Sequence, residues 1–190
     1  MYEGEVARWR ALMIDAVRPV ASLPLLLSGG IDSGTLLAAA LACGARPACY
    51  VFQLGGVESE DARAARSMAL TLGCSLSTVE SPRTLDRLVA DVQVVTKFIG
   101  HGQKTHVQCC HPVLHLVRRL REDGHECAVI GTGGVVEDAR ACAVILGRDG
   151  EAAARAHRRE RLLGTGPSAT NSMIALARSL GVEMVQPYAE

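Results

Sequence analysis

The chain has 190 residues, which is the length of one ordinary domain with a full hydrophobic core. Apolar residues make up 48% and charged residues 21%, as in most soluble globular proteins. The formal net charge is zero, so the overall charge does not support binding to nucleic acid or to an anionic membrane. No apolar run reaches the ~18 residues of a membrane span, and the N-terminus lacks the pattern of a secretory signal. We therefore expect a cytoplasmic protein.

Strand-like and helix-like segments alternate along the sequence. Short apolar runs predict strands at residues 23–27, 47–54, 75–79, 126–131 and 182–185. Helix formers with stop signals predict helices at residues 34–43, 58–72, 85–96, 113–121, 137–146, 151–163 and 169–180, the fourth opened by Pro112. Repeated βα units with short connections predict a doubly wound parallel α/β sheet with helices on both faces.

The first predicted strand runs into a glycine-containing turn that opens a helix. This turn is residues 28–33, with the sequence Ser-Gly-Gly-Ile-Asp-Ser. Glycine allows the backbone to approach an anion closely, and the free N–H groups of a helix N-terminus favour a phosphate. Ser28 and Ser33 add hydroxyl donors. Asp32 would repel a bare anion, so its presence predicts a magnesium ion between its carboxylate and the phosphate oxygens.

The turn lacks the lysine and the spacing of a Walker A loop, and it also lacks the G-x-G-x-x-G dinucleotide fingerprint. It resembles the PP-loop of the N-type ATP pyrophosphatases, which hold the pyrophosphate end of ATP and split the nucleotide between its α and β phosphates. The resemblance is greatest to the synthetase domain of asparagine synthetase and its β-lactam synthetase relatives. It implies the adenine nucleotide alpha hydrolase-like fold of the HUP class.

The resemblance continues in the family's order over most of the chain, through residues 52–73, 105–121, 128–138 and 171–188. The sequence departs from the family where an acidic residue of the second loop is expected, because Thr132 and Gly133 stand there. We expect a single PP-loop domain over residues 1–190, without a glutaminase domain.

The resemblance implies a role for each matching residue. The phosphates and the magnesium ion would be held by Ser28, Gly29, Gly30, Asp32 and Ser33. The backbone at Val51, Phe52 and Gln53 would meet the adenine. The pyrophosphate would be faced by Gly133 and Gly134, and Glu137 and Asp138 would hold either the same metal ion as Asp32 or a second one.

Other polar side chains near these segments are further candidates. The chain has two lysines, and Lys104 lies before the second loop, where we expect it to contact a phosphate or the transition state. Asp32, Lys104, Glu137 and Asp138 are thus the predicted catalytic residues. His101, His106 and His111 are five residues apart, a spacing that fits neither one helix face nor a common metal-ligand pattern.

These features predict an enzyme that uses ATP and Mg²⁺ to adenylate a small carboxylate, or an amide or carbonyl oxygen, and then forms an amide. Two alternatives stay open. One is thiolation of a tRNA or a small molecule, with Cys109 and Cys110 as the candidate sulfur carriers among seven cysteines. The other is a nucleotide-binding subunit whose site is completed by a second copy or by a partner chain.

Overall fold

The computed structural model describes residues 2–132, 139–163 and 168–189, which include a sheet of five parallel strands. The strands are β1 (Leu25–Leu26), β2 (Cys49–Leu54), β3 (Leu76–Ser81), β4 (Cys127–Ile130) and β5 (Glu183–Val185). Their order across the sheet is β3-β2-β1-β4-β5. The central strand β1 pairs with β2 on one side and with β4 on the other. The strand order therefore reverses at β1, and ligands bind at such a point in open α/β sheets.

Seven α-helices surround the sheet within the described residues. They are α1 (Tyr2–Val17), α2 (Ile31–Ala42), α3 (Glu60–Leu72), α4 (Leu85–Ile99), α5 (Lys104–Glu122), α6 (Ala139–Leu163) and α7 (Ala169–Ser179). Gly150, with φ 85° and ψ 179°, breaks α6 into two helical parts. None of the helices in the described ranges combines the length and the apolar character needed to cross a membrane.

The side chains of successive strand residues pack into two separate hydrophobic cores, one on each face of the sheet. Leu25, Leu27 and Val51 pack with residues of α1, α2 and α3 on one face of the sheet. Leu26 and Tyr50 pack with residues of α4, α5 and α7 on the other face. This alternation follows from the two-residue repeat of a strand. The predicted doubly wound parallel sheet with helices on both faces is confirmed.

Two helices differ from the sequence prediction. The α1 helix was not predicted, because Val6, Trp9 and Leu12 are exposed on it and obscure its buried face. The α5 helix begins eight residues before Pro112, which the sequence had placed at a helix start. A proline inside a helix removes one backbone hydrogen bond. The long buried face of α5 against the sheet and α7 explains why the helix continues through it.

The buried face of α5 leads to a stability prediction. Leu114 on α5 is fully buried, whereas Leu70 on α3 is 82% exposed. We expect Leu114→Ala to lower the free energy of unfolding by about 2–5 kcal/mol, because it removes core contacts and leaves a cavity. Leu70→Ala, the matched control, should change it by less than ~0.5 kcal/mol. Equal effects in urea unfolding would contradict this packing.

Candidate active site

The loop between β1 and α2 presents a helix N-terminus that no side chain caps. Gly30 is the N-cap residue, with extended backbone angles of φ −77° and ψ 165°, and it makes no side-chain capping hydrogen bond. The first N–H groups of α2 carry the positive end of the helix dipole. An anion in front of Gly30 would meet these groups directly.

Two serine hydroxyls fix the shape of this loop. Ser33 is 3% exposed, and its Oγ accepts a hydrogen bond from the Ser28 backbone N–H at 3.1 Å. The same hydroxyl donates to the Gly30 carbonyl at 3.2 Å and lies 3.1 Å from Ser28 Oγ. Ser28 Oγ in turn accepts from the Gly30 N–H at 3.3 Å. The loop is thus folded around its own hydroxyls, which hold its backbone N–H groups in place.

Glycine is required at two positions where backbones approach each other. A Cβ atom on Gly29 would lie 2.6 Å from the carbonyl oxygen of Asp61 in α3, and the φ of Gly29 is +75°. A Cβ atom on Gly131, just after β4, would lie 2.9 Å from the Ser33 backbone nitrogen. Side chains are almost never found that close to a backbone atom. The loop is therefore held tightly between α3 and the end of β4.

A cleft of about 270 Å³ opens beside this loop, over the carboxyl ends of β1, β2 and β4. The residues of its lining that have polar side chains are Ser28, Ser33, Tyr50, Asp61, Cys109 and Thr132. The rest of its lining is mainly apolar and includes Val51, Phe52, Pro112, Val113, Leu116 and Met173. Small-molecule sites typically combine such an apolar wall with a few polar groups. We call this space the central cleft.

The predicted site residues fall into three groups. Ser28, Ser33, Val51 and Phe52 line the central cleft. Gly29, Gly30 and Asp32 belong to the loop and the first turn of α2 beside it. Gly133, Gly134, Glu137 and Asp138 lie outside the described residues, so their roles stay predictions.

Two predicted residues, Gln53 with its backbone and Lys104, are not among the residues that line the central cleft, and their roles stay predictions. The Gln53 side chain is buried, and its Nε2 donates a hydrogen bond to Glu80 Oε1 at 2.8 Å, which directs the amide toward β3. Lys104 is the exposed first residue of α5.

Sequence reasoning missed other residues of the cleft. Asp61 lies in the first turn of α3, which follows β2, and the rule that ligands sit beyond strand ends would have marked it. Because α5 packs on the sheet, the cleft is also lined by Pro112, Val113 and Leu116. The sequence predicts a helix that begins at Pro112, whereas α5 begins at Lys104, so this face of the helix was not predicted.

The C-terminal segment also reaches the loop. Tyr188 donates a hydrogen bond from its hydroxyl to the backbone carbonyl of Asp32 at 2.9 Å. Thr132, on the cleft, donates its hydroxyl to Gln186 Oε1 at 3.0 Å. The segment after β5 therefore contacts both the first turn of α2 and Thr132, which follows β4.

Burial controls the chemistry of two side chains on the α5 side of the sheet. It raises the pKa of Tyr50 to about 12, and the Tyr50 hydroxyl donates to Asp123 Oδ2 at 2.8 Å. Burial also raises the pKa of the Cys110 thiol to about 11, so Cys110 is not a thiolate at neutral pH. Its neighbour Cys109, in contrast, lines the central cleft.

Comparison of the sequence with protein-family models finds a match. A family model described as asparagine synthase matches residues 8–134, which is more than half of the 190-residue chain. The matched range contains the β1–α2 loop, all of β2 and the whole of α5. No curated protein matches the chain.

The close approach at Gly29 leads to a second prediction. Gly29→Ala introduces both a left-handed backbone strain and a clash with α3, whereas Gly44→Ala, at φ +81°, introduces the strain with no atom within 4 Å. We expect Gly29→Ala to lower the free energy of unfolding by about 1–3 kcal/mol more than Gly44→Ala does. Chemical denaturation of both variants measures the difference. Equal losses would mean that the loop does not pack on α3 as described.

Proposed function

Because the chain belongs to the asparagine synthase family, we propose that it is an ATP-dependent ligase that adenylates a small carboxylate, or an amide or carbonyl oxygen. The observation that carries this proposal is the central cleft. It joins an uncapped helix N-terminus and two serine hydroxyls to an apolar wall. A nucleotide has the same division, with phosphates at one end and a flat apolar base at the other.

The phosphate end of the nucleotide fits the β1–α2 loop. The backbone N–H groups after Gly30 point outward from α2, and the hydroxyls of Ser28 and Ser33 lie beside them. Hydroxyl groups rotate at little cost, so both can turn from the loop backbone to phosphate oxygens. These donors would stabilise the negative charge that develops on departing pyrophosphate.

The base would occupy the apolar part of the cleft. Val51 and Phe52 line it from the middle of β2, and Pro112 lines it from α5. The pairing of β2 with β1 ends at Tyr50, so the β1 side of β2 at Phe52 is available to hydrogen-bond an adenine edge, although β2 stays paired with β3 on its other side. This placement keeps the adenine role predicted for Val51 and Phe52 and leaves out the Gln53 side chain, which bonds to Glu80.

Magnesium fits this site because Asp32 lies in the first turn of α2, beside the loop that would hold the phosphates. When bound, the ion would neutralise phosphate charge and draw electrons from the phosphorus under attack. We propose Asp32 as one ligand, and Glu137 and Asp138 as the other protein ligands. Asp61, which lines the same cleft, is a further carboxylate candidate.

The proposed reaction has two steps. A substrate oxygen attacks the α phosphorus of ATP, the bond from that phosphorus to the bridging oxygen breaks, and pyrophosphate leaves. A nitrogen nucleophile then attacks the adenylated carbon, loses its proton and displaces AMP. The loop holds the phosphates in line for the first step, which converts a bimolecular encounter into an oriented one.

Sulfur transfer is the second candidate, and Cys109 is the residue that favours it. Its side chain lines the cleft, whereas Cys110 is buried and holds its proton at neutral pH. A thiolation enzyme would lose product formation on Cys109→Ser while keeping the first half-reaction. An amide-forming ligase would keep both.

The first test is magnesium-dependent exchange of labelled pyrophosphate into ATP, with a panel of small carboxylates. We expect one panel member to support exchange and Asp32→Asn to reduce it at least ~100-fold, equivalent to about 2.7 kcal/mol. Asp15→Asn, whose side chain is 72% exposed on α1, is the matched control and should exchange at the unmodified rate. Nucleotide binding without exchange would instead favour a subunit that needs a partner chain or a second copy.

The position of the nucleotide can be tested without a mutation. Cys109 lines the cleft, whereas Cys127 begins β4 at the opposite end of that strand from the cleft. We expect Mg²⁺ and ATP to slow alkylation of Cys109 severalfold and to leave Cys127 unchanged, as measured by mass spectrometry of the labelled peptides. Equal protection of both cysteines, or of neither, would contradict binding in the central cleft.

A further inference from the structure

A second polar cluster is buried between α4 and α5, outside the central cleft. It contains Asp91 from α4 and His111 and His115 from α5, all three buried. One ligand atom from each residue lies within 4.8 Å of the others. His115 Nε2 is 2.9 Å from Asp91 Oδ2, and His111 Nε2 is 3.6 Å from the same oxygen. We call these residues the His–Asp cluster.

The two histidines point the same way because they are four residues apart on one helix. Residues i and i+4 share a helix face, and paired histidines at this spacing are a recurrent way to hold a metal ion. Sequence reasoning considered His101, His106 and His111, and it overlooked His115. Asp91 completes the set from a different helix, which spacing alone does not reveal.

His111 lacks a hydrogen bond where buried groups normally have one. Its Nε2 is buried without a partner, and the 3.6 Å to Asp91 is too long for a hydrogen bond. Buried polar atoms without a partner are few in native proteins and need an explanation. An ion bound between His111, His115 and Asp91 would supply the missing interaction.

The two separations from the Asp91 oxygen to the imidazole nitrogens suit a tetrahedral ion. With bonds of about 2.0–2.1 Å to nitrogen and oxygen, two ligands of a tetrahedral zinc ion stand about 3.3 Å apart. The observed separations of 2.9 and 3.6 Å lie on either side of this value. We propose that Asp91, His111 and His115 form a binding site for a divalent transition-metal ion, Zn²⁺ being the ion we expect, with water as its fourth ligand.

Two arginine side chains contact the carboxylate of Asp91 in the His–Asp cluster. Arg87 Nε is 3.0 Å from Asp91 Oδ2, and Arg118 reaches Asp91 Oδ1 at 3.8 Å. The Arg87 side chain is 43% exposed, so it can turn into solvent and leave Oδ2 to the ion. Arg118 would stay on the other oxygen and orient the carboxylate. Arg87 therefore competes with the metal for Asp91.

Metal binding also requires a change of tautomer at His115. Without an ion, the neutral His115 ring donates its Nε2 proton to Asp91. With an ion, Nε2 carries the lone pair and the proton moves to Nδ1 by exchange with solvent, so no net proton is released.

The test measures Zn²⁺ affinity by competition with a chromophoric chelator, after the purified protein has been stripped with a chelator and reduced. We expect one ion per chain, at least ~100-fold weaker binding in His111→Gln and in His115→Gln, and severalfold tighter binding in Arg87→Gln. His106→Gln is the matched control, because His106 is buried on the same helix and hydrogen-bonded to Ser172. Binding unchanged in both cluster variants would overturn the proposal.

A spectroscopic measurement keeps the test decisive if a histidine variant folds poorly. Co²⁺ in the unmodified protein should give visible ligand-field bands without sulfur-to-cobalt charge transfer, because the proposed ligands are nitrogen and oxygen. Charge-transfer absorption would mean that cysteines hold the ion, and absence of stoichiometric binding would mean that the cluster is an ion-pair network only. Either result overturns the site. Arg87→Gln replaces a half-exposed residue and leaves the core unchanged. The tighter Zn²⁺ binding that we expect of this variant therefore tests the metal site even if the histidine variants fold poorly.

Discussion

The site depends on close backbone contact around one short loop. The central strand has only two residues, Leu25 and Leu26, and the chain then passes between α3 and the end of β4. Gly29 touches α3, and Gly131 touches the first turn of α2 at Ser33. Because neither contact leaves room for a Cβ atom, the relative positions of α2, α3 and β4 are set by the loop. The cleft exists where these three elements meet.

The α5 helix connects the two polar regions of the molecule. Its residues Pro112 and Leu116 line the central cleft, while His111 and His115 turn toward Asp91 on α4. Phe52 stands between the two regions: it lines the cleft, and its ring centroid is 5.5 Å from each imidazole ring. An ion that fixed the imidazoles would therefore also restrict the aromatic wall of the cleft. By linkage, a ligand that ordered Phe52 would affect the ion in the same sense.

The sequence predicted features whose causes are local. The residue types at 28–33 and the strand before them identified the loop, because phosphate binding at a helix N-terminus needs only neighbouring residues. Alternating βα units identified the sheet. Local patterns do not predict features that depend on distant contacts: Pro112 lies inside α5, although the sequence predicts a helix start there, and Asp91 lies 24 residues before His115. The orientation of the Gln53 side chain also depends on a distant contact, since its amide donates a hydrogen bond to Glu80 on the next strand.

The zero net charge is compatible with a site for a polyanion. A triphosphate would meet the N–H groups of α2 and two neutral hydroxyls, which bind through dipoles and contribute nothing to the formal charge. Asp32 and Asp61 then stand close to the phosphates, and their repulsion is removed only if a cation lies between. Under the proposed function, a loop built in this way would favour the magnesium complex over the free nucleotide. The net charge of the sequence does not reveal such a preference, because the positive charge that would meet the phosphates belongs to backbone N–H groups and to the bound cation.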